Sequence, residues 1–370
     1  MCSIMEEEHK MSNEEEGLLK VMQINGGIVL PMVIKTAIEL DLFEIMAKAN
    51  GVEFSSYDLA SNLPTQTPQT ISFIERILWY LASQSILTSS VATDECGNSK
   101  KLYRMTPLSN QFVCNQDGTS YASFFVSLYD KVIVDCWYHL KDAILEGGVP
   151  FERAHGVKIF EYPAKDNRFN QMFNKLMDDN TRIVMKLILK KYKGFEGVKE
   201  LVDVGGGLGA TLELITSKYP NIKGINFDLP HVIKDATPSP GVEHVGGDMF
   251  ESVPKGDVIF MKWILHDWGD DHCIKLLKNC WAALPEHGKV VVVEAIMPDP
   301  EHQPSATDFA SSQDVFALDI FMLIETSSGK ERTEKEYNAL AKEAGFTSFK
   351  IVCGASMYSI MEFYKDSMTV

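Results

Sequence analysis

The stretch Leu201-Val202-Asp203-Val204-Gly205-Gly206-Gly207-Leu208-Gly209-Ala210 decides the fold of this chain. Its first four residues predict a short buried strand, and the glycines predict a sharp turn that opens a helix. In parallel α/β sheets such a turn lies at the carboxyl end of a strand, where nucleotides bind. We therefore predict a ligand-binding loop at Gly205 and Gly207.

Short apolar segments alternate with helical segments on both sides of this turn. Further strand candidates are 223–227, 258–261 and 289–293, with a shorter one at His244 and Val245. This alternation predicts a doubly wound, Rossmann-like parallel α/β sheet. We place it in residues 196–370.

The residues before the sheet predict mostly helical structure. Apolar residues recur at helical spacing in 17–49 and after Pro68, and two strand-like pieces, 86–87 and 102–105, flank a polar loop at 88–101. We interpret 1–118 as a helical, winged-helix-like dimerisation domain. The second domain is 119–370, and its residues 119–195 are expected to be helical throughout.

Composition excludes several classes of protein. The net charge of −16 disfavours nucleic acid and anionic membranes as partners. The seven scattered cysteines support neither a disulfide framework nor a zinc site. We see no secretory signal, no apolar run near the roughly 20 residues of a membrane span, and no clustered metal ligands. We expect a cytoplasmic protein.

Three carboxylates mark the nucleotide end of the predicted sheet. Asp203 precedes the first glycine by two residues, where it could face a cationic amino-acid group. Asp228 ends a strand and suits a ribose diol, while Asp248 and Met249 suit an adenine amino group and ring. Asp228 and the glycine spacing also fit an NAD-dependent oxidoreductase, so they do not decide between the two cofactors.

A second group of residues carries candidate chemistry. His266 follows the strand 258–261, and Glu294 closes the next strand, so both should lie at the carboxyl edge of the sheet. Glu331 could supply a second acid beside the imidazole. It could equally be a helix N-terminal charge before the capping sequence Thr333-x-x-Glu336.

These motifs closely resemble the plant phenolic O-methyltransferases of the caffeic acid 3-O-methyltransferase type, which are class I-like and cation-independent. The resemblance covers nearly the whole chain from about Leu30. Its motifs are 201–209, 224–231, 241–250, 261–268 and 329–336. It implies S-adenosylmethionine as methyl donor, no metal, a homodimer, and a sheet extended past six strands.

The resemblance also implies the site residues. His266 is implied as the general base, flanked by Glu294 and Glu331. The candidate donor-binding residues are Asp203, Gly205, Gly207, Asp228, Leu229, Asp248, Met249 and Lys262. The candidate acceptor-pocket residues are Leu128, Phe169, Phe173, Met177, Trp263, Asp267, Met322 and Thr326. The three on one helix, Phe169, Phe173 and Met177, could instead be ordinary core, and Asp267 could be structural.

Phenol methylation explains why two acids would flank the histidine. A phenol has a pKa of about 10 and a free histidine about 6.5, so complete proton transfer is uphill by about 5 kcal/mol. Carboxylates raise the basicity of the imidazole and stabilise the imidazolium, and a donor sulfonium favours the phenolate. The hypothesis therefore needs an imidazole whose pKa is raised.

The acceptor pocket departs from the caffeate-type pattern. Those enzymes have Met-Asn-Gln-Asp-Lys where this chain has Ser127-Leu128-Tyr129-Asp130-Lys131. They have Met-Leu-Ala-His-Asn-Pro-Gly-Gly-Lys-Glu where this chain has Met322-Leu323-Ile324-Glu325-Thr326-Ser327-Ser328-Gly329-Lys330-Glu331. Leu128 and Thr326 thus replace two pocket asparagines. We expect caffeate to be a poorer acceptor than a more apolar phenol, with phenylpropanoids, coumarins, flavonoids, lignans and alkaloids as acceptor classes.

Two other functions are compatible with parts of the sequence. An NAD-dependent oxidoreductase would use the glycine turn but leaves Met249 and the histidine with its two acids unexplained. A winged-helix regulator that senses a small ligand would use the N-terminal domain, but the negative charge opposes DNA binding.

Overall fold

The computed structural model describes residues 12–49, 51–64, 66–93, 97–299, 301 and 312–366. Its chain divides into two compact units, Met1–Asp130 and Lys131–Val370. This division falls at residue 130, later than the boundary at residue 118 that the sequence suggested. The apolar side chains of Tyr121 and Phe125 pack against the core of the first unit, so this segment belongs there.

The first unit is mostly helical, as predicted. Its described elements are α1 (Asn13–Asn25), α2 (Val29–Glu39), α3 (Leu42–Lys48), α4 (Ser56–Ala60), α5 (Thr70–Ser83), β1 (Leu87–Thr93), β2 (Ser99–Met105) and α6 (Ala122–Leu128). Its core includes Ile34, Phe43, Leu78 and Tyr103.

The hairpin of the first unit is longer than the sequence indicated. Strands β1 and β2 pair antiparallel from Leu87 opposite Met105 to Thr93 opposite Ser99. The prediction of a polar loop over 88–101 was wrong for most of its length. A two-stranded hairpin exposes much of its surface, so serine, threonine and lysine occupy strand positions here without an apolar pattern.

The stretch Asn13–Glu39 is long and apolar enough to cross a membrane by length and composition, and 6% of its most apolar window is buried. The expectation that no segment reaches this threshold was wrong, because scattered polar residues interrupt the apolar run without lowering its mean hydropathy enough. Signal sequences and core helices of soluble proteins pass the same test. The exposed large apolar side chains of this stretch are Leu18, Leu19, Val21, Met22, Ile24, Ile28, Val29 and Met32.

The second unit begins with four separate helices, not with one continuous helix. They are α7 (Lys131–Trp137), α8 (Leu140–Glu146), α9 (Pro150–His155) and the long α10 (Asn167–Lys191). Gly147 and Gly156, at φ 83° and 73°, end α8 and α9 in a backbone region that favours glycine. The prediction of helix throughout 119–195 was therefore right in type but missed these breaks.

A mixed sheet forms the rest of the second unit. Its strands and helices are β3 (Glu200–Val204), α11 (Ala210–Lys218), β4 (Lys223–Asp228), α12 (Pro230–Ile233), β5 (Val242–Gly246), β6 (Val258–Lys262), α13 (Asp270–Ala283), β7 (Lys289–Met297), α14 (Gln313–Glu325), β8 (Arg332–Thr333), α15 (Glu334–Glu343), β9 (Ser348–Ala355) and β10 (Tyr358–Tyr364). In the described residues the strand order is β5-β4-β3-β6-β7-β10-β9, and β8 pairs with β7.

Strands β3 to β7 are parallel, as the alternation predicted, whereas β9 and β10 are antiparallel additions beyond β7. Alternate residues of β3 contribute to two apolar clusters: Val202 to a cluster with α13 and α15, and Leu201 to a cluster with α10 and α11. Helices thus cover both faces of the sheet. Since the parallel strands share a direction, the residues that follow them meet at one edge.

Candidate functional site

The glycine turn after β3 is held by Asp228 at the end of β4. Gly205 and Gly207 have φ values of 68° and 57°, in the left-handed region that favours glycine. The Gly207 amide donates to Oδ2 of Asp228 at 2.8 Å, and the Leu229 amide donates to Oδ1 at 2.6 Å. Oδ2 of Asp228 therefore fastens the turn to the next strand, while Oδ1 is bonded to the amide that follows Asp228 itself.

Asp203 places an unpaired carboxylate oxygen beneath this turn. The side chain is buried, and its Oδ2 has no hydrogen-bond partner among the described residues. Burial raises the pKa of Asp203 and lowers the pKa of Lys262, while the mutual attraction of the pair opposes both shifts. A Cβ on Gly206 would lie 2.6 Å from Asp203 Oδ2, so glycine keeps this space open. A cationic ligand group fits such a site.

Asp248 and Met249 follow β5, the neighbour of β4. Oδ1 of Asp248 accepts from the Phe250 amide at 2.8 Å, and the side chain is exposed. The Met249 carbonyl accepts from the amide group of Asn279 at 2.9 Å, and its side chain packs partly buried on the core. The predicted donor-binding residues thus lie at or just after the ends of four neighbouring strands, β5, β4, β3 and β6.

His266 lies on a short 3-10 helix, Leu265–Asp267, directly after β6. The residue is 7% exposed. Its Nδ1 is 2.7 Å from Oε1 of Glu331 and 3.8 Å from Oε2 of Glu294, and its Nε2 is 3.6 Å from Oδ1 of Asp267. Nε2 makes no hydrogen bond with any described residue. The direct partner of the imidazole is therefore Glu331, and Nε2 is left for a ligand.

Glu294 acts mainly on the backbone that precedes the histidine. Its Oε1 accepts from the amides of Ile264 and Leu265 at 2.9 and 2.8 Å. Trp263, just before them, has a φ of 57°, which is unfavourable for a bulky residue. The buried carboxylate therefore fixes the turn that presents His266.

The two interpretations of the Glu331 region apply to different residues. The helix cap is made by Thr333 and Glu336, which form a capping box at the start of α15. Glu331 instead points its carboxylate at His266, and its amide donates to Asp319 at 2.9 Å.

Arg332 is a site residue that the sequence did not reveal. Its guanidinium is fully buried and donates to the carbonyls of Leu265 and Trp268, each at 2.7 Å, and to Asp270. It therefore holds the backbone on both sides of His266. In the sequence Arg332 directly follows two other charged residues, Lys330 and Glu331, and such a run is typical of an exposed surface.

The acids control the basicity of His266. Burial lowers its pKa, but the charges of Glu294, Asp267 and Glu331 outweigh burial and raise it to about 10. Burial in turn raises the pKa of Asp267 to about 6, and that of Glu294 to about 7. The imidazole is thus a much stronger base than free histidine, whose pKa is about 6.5.

The predicted acceptor-pocket residues divide by burial. Phe169 is 1% exposed and belongs to an apolar cluster of the second unit. Phe173 and Met177 are half-buried, and the ring of Phe173 stacks on Phe169 at 6.0 Å. Leu128 ends α6 in the first unit.

Three further pocket candidates, Trp263, Met322 and Thr326, directly follow β6 or lie at the end of α14. Met322 and Trp263 are buried, and Trp263 Nε1 has no hydrogen-bond partner among the described residues. The Thr326 hydroxyl donates to the Met322 carbonyl at 2.9 Å and accepts from the Gly329 amide at 2.9 Å. Thr326 therefore uses its hydroxyl on the local backbone.

Folding assembles a set of ligand-type side chains that the sequence did not predict. His266, Glu294 and Glu331 offer atoms that all lie within 4.8 Å of one another, a spacing that could hold a metal ion. The expectation that the chain lacks a clustered set was wrong, because 65 residues separate the outer members along the chain. The hydrogen bond between His266 and Glu331 accounts for the short distance between these two side chains without a metal.

Two family models match the chain. An O-methyltransferase domain matches residues 137–347, which include the base, the glycine turn and the parallel strands β3 to β7. An O-methyltransferase dimerisation domain matches residues 22–115, which lie within the first unit.

Curated relatives and solved structures agree with these matches. The chain is 54% identical to a caffeic acid 3-O-methyltransferase of Prunus dulcis over 96% of each chain. It is 53% identical to myricetin 3'-O-methyltransferase 4 of Solanum lycopersicum over 96% of this chain and 97% of the relative. Human N-acetylserotonin methyltransferase, solved in complex with SAM, shares the fold with a TM-score of 0.81 at 23% identity, covering 97% of this chain and all of that one. The chain belongs to the O-methyltransferase family and is an S-adenosylmethionine-dependent O-methyltransferase.

Proposed function

We propose that this enzyme transfers the methyl group of S-adenosylmethionine to a phenolic hydroxyl of a small aromatic plant metabolite, with His266 as general base. The observation that carries the role of His266 is its buried imidazole, bonded to Glu331 through Nδ1 and free at Nε2. The caffeic acid and myricetin activities in the names of the relatives support a phenolic acceptor.

The raised pKa of His266 supports proton removal from a phenol. At about 10 it equals the pKa of a typical phenol, so the uphill step of about 5 kcal/mol for a free histidine disappears. Nε2 accepts the phenol proton, and Glu331 and Glu294 stabilise the imidazolium that results. Since only the neutral imidazole accepts a proton, the rate should rise with pH below this pKa.

The residues at the sheet edge would hold the methyl donor, which supplies the methyl group on a cationic sulfur. Asp228 would bind the ribose diol, Asp203 the amino-acid group, and Asp248 with Met249 the adenine. Gly205 and Gly207 would let the backbone approach closely, with Leu229 and Lys262 beside them. This assignment rests on the unpaired oxygen of Asp203 and on the strand ends that collect these residues.

The acceptor would lie against apolar side chains near Nε2. Phe173, Met177, Met322 and Trp263 are the proposed walls, and Oδ1 of Asp267 lies 3.6 Å from Nε2. Leu128 and Thr326 remain proposed selectivity positions. The hydroxyl of Thr326 is already hydrogen-bonded to backbone groups, and this supports a changed acceptor preference at this position.

We further propose a metal-independent, cytoplasmic homodimer without nucleic acid or membrane as partner. The dimerisation-domain match supports the homodimer, and exposed apolar side chains such as Leu18 and Met22 on α1 supply surface for an interface.

One assay tests the reaction and its metal independence together. The enzyme is given methyl-labelled donor and a panel of phenols, and the products are identified by mass, with and without prior EDTA treatment. We expect labelled methyl ethers in both arms. Loss of turnover in EDTA that magnesium restores would contradict metal independence, while tight NAD binding and no methylated product from any phenol would contradict the proposed reaction.

A further inference from the structure

The glycine turn is also held by Asn226, which lies on the same strand as Asp228. The Asn226 side chain is fully buried, and its Nδ2 donates to the Gly207 carbonyl at 2.9 Å. Asp228, two residues further along β4, accepts from the N–H of the same glycine at 2.8 Å. Residues two apart on a strand point to the same face. Asn226 and Asp228 therefore bind the two backbone groups of Gly207, one each.

His244 fixes the orientation of the Asn226 amide. The two residues are register partners on the parallel strands β4 and β5, and Asn226 Nδ2 lies 3.1 Å from His244 Nδ1. His244 Nε2 lies 3.0 Å from the Thr237 carbonyl. Because a carbonyl only accepts, Nε2 carries a hydrogen, and Nδ1 of the neutral ring is an acceptor. Asn226 thus faces two acceptors, Nδ1 and the Gly207 carbonyl, and both require its NH2 group.

This orientation leaves the oxygen of the Asn226 amide without a partner. Oδ1 is buried and makes no hydrogen bond with any described residue. A Cβ on Gly206 would lie 2.1 Å from this oxygen, so the turn can approach it only with glycine at that position. A buried carbonyl oxygen without a hydrogen bond destabilises the fold. A polar side chain retained at such a cost points to a role in the site.

His244 also packs against the far end of the turn. A Cβ on Gly209 would lie 3.0 Å from His244 Cε1 and 3.5 Å from Asn226 Nδ2. Gly209 has a φ of 94° and is the N-cap residue of α11. Side chains of β4 and β5 therefore support the turn both at Gly207 and at the start of the helix that follows it.

We propose that Asn226, oriented by His244, is a positioning residue of the methyl-donor site and holds the Gly207 carbonyl so that the turn presents its backbone to the donor. This inference rests on the proposed donor-binding role of the turn. Asn226 acts through the turn, and His244 acts through Asn226, so neither has to touch the donor. Loss of either interaction should weaken donor binding and leave proton removal at His266 in place.

Calorimetry with S-adenosylmethionine on the full-length enzyme tests the role of Asn226. Asn226→Asp keeps the shape of the side chain but places an oxygen opposite the Gly207 carbonyl, so we expect the dissociation constant to rise about 10- to 100-fold. Turnover at saturating donor should fall far less than donor affinity. Asn221→Asp, at an exposed position just before the same strand, makes the same chemical change and should bind the donor as the wild type does. A larger loss in turnover than in affinity would overturn the inference.

His244→Phe tests the relay without placing a charge in the core. It keeps a ring against Gly209 and removes the acceptor for Asn226, and we expect donor binding about 3- to 10-fold weaker. Adding His244→Phe to Asn226→Asp should cause little further loss, because His244 acts through Asn226. Additive losses would overturn the relay.

The fold of each variant is checked by circular dichroism, and His244→Phe decides the outcome if Asn226→Asp does not fold. Wild-type donor affinity in the folded variants would overturn the inference. Asp228→Ala separates this result from a failure of the donor site itself. If Asp228→Ala alone loses affinity, only the role of Asn226 is wrong, whereas wild-type affinity in Asp228→Ala as well would overturn the proposed donor site.

Discussion

The donor end and the base end of the site are built from different kinds of sequence information. At the donor end, Gly205 and Gly207 follow β3 and Asp228 ends β4, and the carboxylate of Asp228 accepts hydrogen bonds from backbone amides. At the base end, His266 meets Glu294 from the next strand and Glu331, 65 residues away. The first is a local motif, and the second exists only after the sheet has formed.

This difference has an energetic counterpart. The carboxylate of Asp228 is satisfied by two amides, so the turn is complete before a ligand arrives. Around His266 the buried carboxylates keep one oxygen each, on Glu294 and Glu331, without a hydrogen-bond partner among the described residues. Buried charges of this kind are costly for stability, and they raise the pKa of the base. The base end, like Asp203 at the donor end, thus gives up stability for function.

The largest effect is expected from a variant that disables only the base end. His266→Gln keeps a hydrogen-bonding side chain of similar reach but removes the group that accepts the proton. We expect turnover to fall by about 10²- to 10⁴-fold, with unchanged affinity for S-adenosylmethionine by calorimetry. Near-full turnover of this variant at high pH would show that the enzyme only aligns its two substrates and that water takes the proton.

A second variant breaks the donor end alone. Asp228→Ala removes the carboxylate that fastens Gly207 and that we assign to the ribose diol. Losing hydrogen bonds to a charged group should weaken donor binding by about 10- to 100-fold. At saturating donor, turnover should change much less. A dissociation constant equal to that of the wild type would remove Asp228 from the site, and circular dichroism checks that the fold is retained.

Much of the fold followed from the sequence because strands and helices leave local patterns. The five parallel strands were predicted within a few residues, since each is a short apolar run before a turn. Strands β9 and β10 were not recognised from their own residues, and only the resemblance implied a longer sheet. In β9 apolar and polar residues alternate on a partly exposed strand, as in Phe349-Lys350-Ile351, and this weak signal also fits a loop.

The site was predictable where position along a strand fixes position in space. Residues that close or closely follow parallel strands, such as Asp228 and His266, had to meet at one edge. Arg332 could not be found, because its burial depends on carbonyls of Leu265 and Trp268 that no local pattern links to it. The same reason left Glu331 with two interpretations.

The smallest effect is expected from variants that test how much the acids raise the pKa of His266. Glu331→Gln and Glu294→Gln each remove one negative charge that raises the pKa of His266. With one charge gone that pKa falls, so the pH at which His266 loses its proton falls with it. The acid limb of turnover should therefore move to lower pH, by about one unit for each variant.

The maximal rate and the donor end give the controls for these two variants. A weaker base should lower the maximal rate by less than His266→Gln does, and donor affinity should not change, because Asp203 and Asp228 are untouched. The measurement is turnover of wild type and variants from pH 6 to 10 at saturating donor. If the acid limb stays in place in both variants while only the rate falls, the carboxylates orient His266 without tuning it. If the limb persists in His266→Gln, it belongs to another group, and the assignment of the base is wrong.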